Sequence, residues 1–298
     1  MVQVNGGLAI RKLSVTFHMP GGDVVLDETL NLRVHVTKDC MSSQNEAVIE
    51  VTNLTGSLRQ QLLSQFTAFN RRKTAAGQIS PVYLNMQIDA GYIYPDGTST
   101  VSTIYHGQVV ECGVVSPPPD VTVRIKCYTH QVDKTTYLDQ PPPYSMTFKE
   151  LALWAGNQMG FDNQHIICET SFDNAIVNNA ARSTYVAGDL PLYLEQYYQP
   201  NVAAYIDDDF LIVKDRYSIL NPSDTATLSE FIGIPCWTEW GVEFTTYCDP
   251  TIKLAQAANI TSLLNPSLNG SYVVMQINYE LASRDAPFYC HVQACPPA

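Results

Sequence analysis

The acidic run Asp207-Asp208-Asp209 is the densest concentration of groups that could do chemistry in this chain. Glycoside hydrolysis needs two carboxylates at a set separation across the scissile bond. Three consecutive residues cannot all face one site, and Asp is a common turn residue. The run also lacks the alternating Asp/Asn ligands, the Gly and the terminal Glu of a calcium loop. Its expected place is the tip of a tight hairpin, between Ala203-Ala204-Tyr205-Ile206 and Phe210-Leu211-Ile212-Val213. Cys127 and His130 have a CxxH spacing, and Cys290-His291 lies near Cys295. A structural zinc site takes four ligands in recognisable clusters, and the eight cysteines (40, 112, 127, 168, 236, 248, 290 and 295) contain no CxxC pair. Buried, reduced, metal-free thiols are the expectation. His106, within Tyr105-His106-Gly107, has no sequence neighbour with which to share a proton. Ser14, Ser42 and the other serines lie in no Gly-x-Ser-x-Gly elbow, and no glycine-rich phosphate loop is present. The expectation is therefore no catalytic, cofactor-binding or metal-binding residue, no cofactor and no enzymatic activity. Trp154, Trp237 and Trp240 are expected as core or interface anchors rather than sugar-stacking platforms.

Charge narrows the partners further. Seventeen Lys and Arg stand against 29 Asp and Glu, a formal net charge of −12. The densest basic run, Arg71-Arg72-Lys73, is too small for a nucleic-acid footprint. No apolar run approaches the roughly 18 residues that span a bilayer, and the opening residues lack a secretory pattern. Synthesis in the cytoplasm without membrane insertion is expected. With 45% hydrophobic and only 15% charged residues, the chain is a folded one. Low charge also hints at a surface partly covered by partners.

Elements that would position these residues follow from period and punctuation. Leu30, Leu32, Val34 and Val36 alternate with Asn31, Arg33, His35 and Thr37, the period of a half-buried strand. Ala47–Val51, Val82–Ile88, Ile104–Val115 and Val121–Cys127 continue the β pattern, with turns at Asp96-Gly97 and Ser116–Asp120. Leu58, Leu62, Phe66 and Phe69 recur at helical spacing, and the helix is expected to fade into a polar loop over Asn70–Gly77. Residues 1–133 thus predict a β-domain of six or seven strands with one flanking helix. Residues 134–229 predict a linker, Pro141-Pro142-Pro143, and a small α+β domain. Its first helix opens on the capping box Thr147-Phe148-Lys149-Glu150, and its second starts at Asp189 with Pro191 in the first turn. Residues 230–298 return to β, with strands at Gly241–Tyr247, Thr251–Ile260, Tyr272–Leu281 and Phe288–Cys295. The predicted fold class is mainly β (α+β).

The last segment echoes residues 80–130. Val82–Ala90 aligns with Ile252–Ile260, Tyr105–Glu111 with Gly270–Gln276, and Val121–Thr129 with Pro287–Cys295. A duplicated β-domain with a different domain inserted between its copies is the implied layout.

Several short elements, in order along nearly the whole chain, resemble the baseplate hub proteins of contractile-tailed bacteriophages. They are Val51-Thr52-Asn53-Leu54-Thr55, Ala90-Gly91-Tyr92 and Tyr105-His106-Gly107-Gln108-Val109 in the first half. In the second half they are Gly233-Ile234-Pro235, Asp249-Pro250-Thr251-Ile252, Gly270-Ser271-Tyr272-Val273-Val274, Ser283-Arg284-Asp285 and Phe288-Tyr289-Cys290. The chain departs from that pattern at Leu254-Ala255-Gln256, where the family often has Lys-Pro-Gly-Asp. The resemblance implies two tail-tube-like β-barrel or sandwich domains flanking the small α+β domain. It implies a homotrimeric ring in the virion tail that adapts a sixfold tail tube protein to a threefold spike protein. Other baseplate and tape-measure proteins would be partners, and DNA would pass through without being held, which an acidic chain suits. A tail-associated cell-wall hydrolase and a receptor-binding tail protein are the alternatives.

Overall fold

The computed structural model describes residues 3–4, 7–41, 44–80, 82–130, 138, 141–178 and 186–298. The expected boundary between residues 133 and 134 lies outside them, as do Ser42 and Pro81. The first β unit comprises β1 (Ile10–Phe17), β2 (Val24–Leu26), β3 (Asn31–Asp39) and β4 (Glu46–Thr52). Helices α1 (Gly56–Gln65) and α2 (Ala68–Ala75) follow, then β5 (Asn85–Ile93), β6 (Ser102–Val114) and β7 (Thr122–Tyr128). The insert carries α3 (Phe148–Gln158), β8 (Ile166–Glu169), α4 (Leu190–Tyr198), β9 (Val202–Asp207) and β10 (Phe210–Asp215). The last β unit comprises β11 (Thr225–Leu228), β12 (Cys236–Trp237), β13 (Val242–Tyr247), β14 (Ala257–Ile260), β15 (Gly270–Ala282) and β16 (Phe288–Cys295). The fold is mainly β, as the sequence predicts.

Strand order makes the repeat explicit. The first unit runs β3-β4-β7-β6-β5-β1-β2 and the last runs β12-β13-β16-β15-β14-β11. Both carry a bulge at the positions the alignment pairs, between Val109 and Glu111 on β6 and between Val274 and Gln276 on β15. A bulge bends its strand and raises the local twist, so the two long strands change direction at the same place. The ladders also correct the alignment. Cys127 lies opposite Val109 and Ala294 opposite Val274, so Cys127 matches Ala294 rather than Gln293. Ile88 lies opposite Tyr105 and Ile260 opposite Gly270, so Ile88 matches Ile260 rather than Ala258. A one-residue slip would turn the buried set of β16 outward; Cys290, Val292 and Ala294 are the buried residues. One difference remains: β1 pairs antiparallel with β5, while β11 pairs parallel with β14.

The two units are not separate barrels. β15 pairs antiparallel with β3 over seven residues, from Gln276 opposite Asp39 to Ala282 opposite Arg33. The result is one continuous sheet, with no closed barrel among the described residues. One apolar core runs across both units, and a second core fills the insert.

The expected helix at Leu58–Phe69 is two helices. The carbonyl of Phe66 accepts a hydrogen bond from the N–H of Cys112 on β6 at 2.6 Å, and the chain restarts at Thr67, whose hydroxyl accepts from the N–H of Asn70. The second helix, Ala68–Ala75, continues through Asn70–Ala75, where a polar loop was expected, and Phe69 points to solvent. Leu58, Leu62 and Phe66 are buried against the first unit. Two glycines of the sequence motifs are explained by close approach. A Cβ on Gly91, at φ +149°, would sit 2.7 Å from the carbonyl oxygen of Thr100, and one on Gly107 would sit 2.6 Å from the ring of Tyr105.

Leu62 is fully buried. Leu62→Asp places an unpaired carboxylate in the core, at a cost of several kcal/mol out of the ~5–15 kcal/mol that holds a domain folded. Urea denaturation of the variant is expected to show either loss of the cooperative transition or a midpoint far below the wild type.

Candidate functional site

The residues that cooperate lie at two junctions. At the seam between the units, the N–H of Cys40 donates to Met275 O at 2.9 Å and that of Ser283 donates to Leu32 O at 2.9 Å, extending the β3–β15 ladder at both ends. The hydroxyl of Ser283 donates to Leu30 O at 2.7 Å and accepts from the N–H of Leu32 at 3.0 Å. Arg33 pairs with Asp285, and Arg284 donates to Thr29 O. Arg11 donates to Asp285 O at 3.0 Å and lies 5.3 Å from the centre of the Phe288 ring, a cation–π distance. The Tyr92 ring meets Phe288 edge-on at 5.4 Å, and its hydroxyl donates to Phe288 O at 3.3 Å. The elements Ala90-Gly91-Tyr92, Ser283-Arg284-Asp285 and Phe288-Tyr289-Cys290, far apart in sequence, thus meet here. A cavity of about 310 Å³ opens on the same junction, lined by Arg11, Tyr92, Tyr94, Glu230, Thr246 and Asp249 among others.

The second junction fixes the insert to the sheet. On β3 the inward stripe Leu32, Val34, Val36 continues into Lys38, a charge at a core-facing position. A buried ammonium is tolerated only when paired. Its Nζ lies 3.0 Å from Asp207 Oδ1 and 2.9 Å from both carboxylate oxygens of Asp208. The Asp run is the tip of the β9–β10 hairpin, with Asp207 opposite Phe210. The run is a hairpin turn, as expected, and two of its three carboxylates also face one cation. Asp208 sits at φ 49°, and this left-handed kink swings its side chain to the same side as that of Asp207. Asn45 Nδ2 donates to Asp207 at 3.0 Å, and the N–H of His106 donates to Asp208 Oδ1 at 2.9 Å. Burial pulls the Lys38 pKa down, but the Asp207 and Asp208 charges outweigh it and hold the amine above the ordinary lysine range. His106 therefore contributes its backbone here; its ring lies 3.9 Å from Asp209 at the rim.

The CxxH residues diverge. Cys127 is fully buried in the main core, whereas the His130 ring accompanies Phe161 at 4.3 Å and reaches Met159 O at 3.1 Å, on the insert side. Burial lowers the pKa of His130, keeping it neutral near pH 7. Among the described residues no group of three or more His, Cys, Asp and Glu is arranged to hold a metal. Cys236 is exposed and the other seven cysteines are buried. Trp154 packs against the insert core, while Trp237 and Trp240 project from the last unit. At Leu254-Ala255-Gln256, Ala255 adopts φ 57° and is fully buried.

Lys38→Met leaves Asp207 and Asp208 without their cation and is expected to cost about 3–5 kcal/mol. Adding Asp207→Asn and Asp208→Asn, which keep the acceptors for Asn45 and His106, should recover much of the loss in urea titrations. One thiol per chain is expected to react rapidly with an aromatic disulfide reagent in the native protein, and eight after unfolding. Burial pushes Cys40, Cys112, Cys168 and Cys290 up to about 12. Unfolded thiols ionise near 8.5, so stability is full below that pH. It should fall as pH rises from about 8.5 toward 12, because only the unfolded chain releases these protons.

No curated protein matches the chain in sequence. Its fold is similar to that of the 43 kDa tail protein of prophage MuSo2 from Shewanella oneidensis, at 11% identity and TM-score 0.57, over 95% of this chain and 98% of that one. It is similar to the tail protein from Neisseria meningitidis MC58, at 8% identity and TM-score 0.61, over 95% and 96%. It is also similar to the E. coli c3393 protein, a component of the type VI secretion system, at 9% identity and TM-score 0.56, over 90% and 74%. These likenesses show the fold. The family model described as Baseplate hub gp41 matches residues 12–294, so the chain belongs to the baseplate hub gp41 family.

Proposed function

We propose that the protein is a structural subunit of the tail baseplate, three copies of which close into a ring between a sixfold tail tube and a threefold spike. The observation that carries this is the repeat joined edge to edge by β3 and β15. A subunit holding two like units supplies two positions of a pseudo-sixfold ring, so three subunits complete it. The inserts, one per subunit, give the same ring threefold character. Contacts of this kind are heterologous, and they close when the rotation per subunit divides a full turn. The net charge of −12 suits a lumen through which DNA slides without being held. Tail tube and spike proteins are the principal partners, with other baseplate and tape-measure proteins adjoining.

Mass photometry of the purified chain, alone and mixed with its tail tube and spike proteins, tests the ring. A species of three copies that binds both partners at once is expected. A chain that stays monomeric in every mixture, or that releases fragments from purified peptidoglycan, would reject the hub role.

A further inference from the structure

The seam inside the chain is a template for a seam between chains. β15 receives β3 along the edge it turns away from β16. In the repeat, β6 is the counterpart of β15 and β12 the counterpart of β3. Yet beyond Gln108, where its pairing with β5 ends, no strand flanks β6 on the corresponding edge among the described residues, and β12 ends the sheet. Both edges are apolar and exposed: Val114 and Val115 at one, Ile234 and Trp237 at the other, with exposures of 52%, 45%, 58% and 54%. Unpaired edges are ordinarily blunted by charge or cover, so apolar side chains at both point to a partner.

Backbone alternation makes the two edges complementary. The N–H of Val115 donates to Thr122 O at 2.9 Å, which directs Val115 and Gly113 toward β7 and leaves Val114 facing outward. The N–H of Thr238 donates to Gly241 O at 2.8 Å, so Thr238 and Cys236 face β13 and Trp237 faces outward. Phe66 O already occupies the N–H of Cys112, so the open stretch of β6 begins beyond it, as suits a partner as short as β12. In the internal seam Tyr279 lies opposite Val36 and Glu280 opposite His35. Val114 and Val115 are the repeat counterparts of Tyr279 and Glu280. Trp237 and Cys236 are those of Val36 and His35, because Val36 pairs with Ala47 where Trp237 pairs with Val242.

We infer that β6 of one copy pairs antiparallel with β12 of the next, Val114 opposite Trp237 and Val115 opposite Cys236. This rests on the ring proposed above and adds to it the contacting edges and their register. Val115 and Cys236 then form a non-hydrogen-bonded pair with Cα atoms about 4.5 Å apart, within the ~4.4–6.8 Å range of disulfides. Cys236 is already the exposed cysteine.

The test is Val115→Cys, oxidised with copper phenanthroline in the presence of the tube and spike proteins and run on a non-reducing gel. Because Val115 is exposed, the variant is expected to keep the wild-type melting temperature. A ladder ending at three linked chains is expected, with no ladder from wild type. Val114→Cys presents its thiol to the opposite face of the sheet and should link at least tenfold less. Mass photometry of the same samples separates the two levels. Assembled trimer without a Val115→Cys link overturns the edge pairing and leaves the ring standing. Monomer overturns the ring and the pairing with it. Equal linking from both variants overturns the register.

Discussion

The ladder between β3 and β15 is the interaction on which the architecture depends. β3 is hydrogen-bonded on both sides, to β4 within its own unit and to β15 of the last unit. Its inward side chains fill the shared core, and its far end carries Lys38 to the hairpin of the insert. One nine-residue strand therefore ties together the first unit, the last unit and the insert. Because β15 is closed at more than 200 residues of sequence separation from β3, it depends on the core to offset the entropy of that closure. Seven paired residues, the Ser283 hydroxyl and the Arg11–Phe288–Tyr92 stack meet that requirement together.

The buried Lys38 cluster has a different physical character. Apolar packing tolerates small shifts, but a buried ammonium must find its carboxylates or stay in water. The cluster contributes little net stability for that reason, and its consequence is position: it fixes the hairpin tip against β3 and, through the His106 N–H, against β6. The second buried amine, Lys214, is satisfied instead by the carbonyl oxygens of Asp215, Arg216 and Ser218 at 2.8–3.0 Å, and burial lowers its pKa. It closes the base of the same hairpin.

Family membership makes the protein a structural component of a tail baseplate, and the likeness to the tail proteins is one of fold. A protein of this kind acts through the geometry of its edges and faces. In this molecule the best-connected polar residues serve junctions, and exposed apolar side chains stand at β12 and at the end of β6.

The sequence by itself determined the elements whose signals are local. The alternation through Leu32, Val34 and Val36, the capping box at Thr147 and Glu150, the helix after Asp189 and the hairpin around the Asp run were all legible, because each depends on neighbours within a few residues. The duplication was legible as a pattern, and the family through ordered short motifs. Strand registers slipped by one or two residues in the alignment, because a pattern of alternating burial does not fix which residue of one strand lies opposite which of the next. The break at Phe66 and the second helix were not legible, since the carbonyl that ends α1 is claimed by Cys112 across the fold. Nor could sequence reveal that Asp207 and Asp208 converge on Lys38, which needs a left-handed backbone at Asp208 and a strand some 170 residues away. The joining of the two expected barrel or sandwich domains into one sheet was decided only in three dimensions. A strand pattern specifies which face is buried, but not which distant edge will supply its backbone hydrogen bonds.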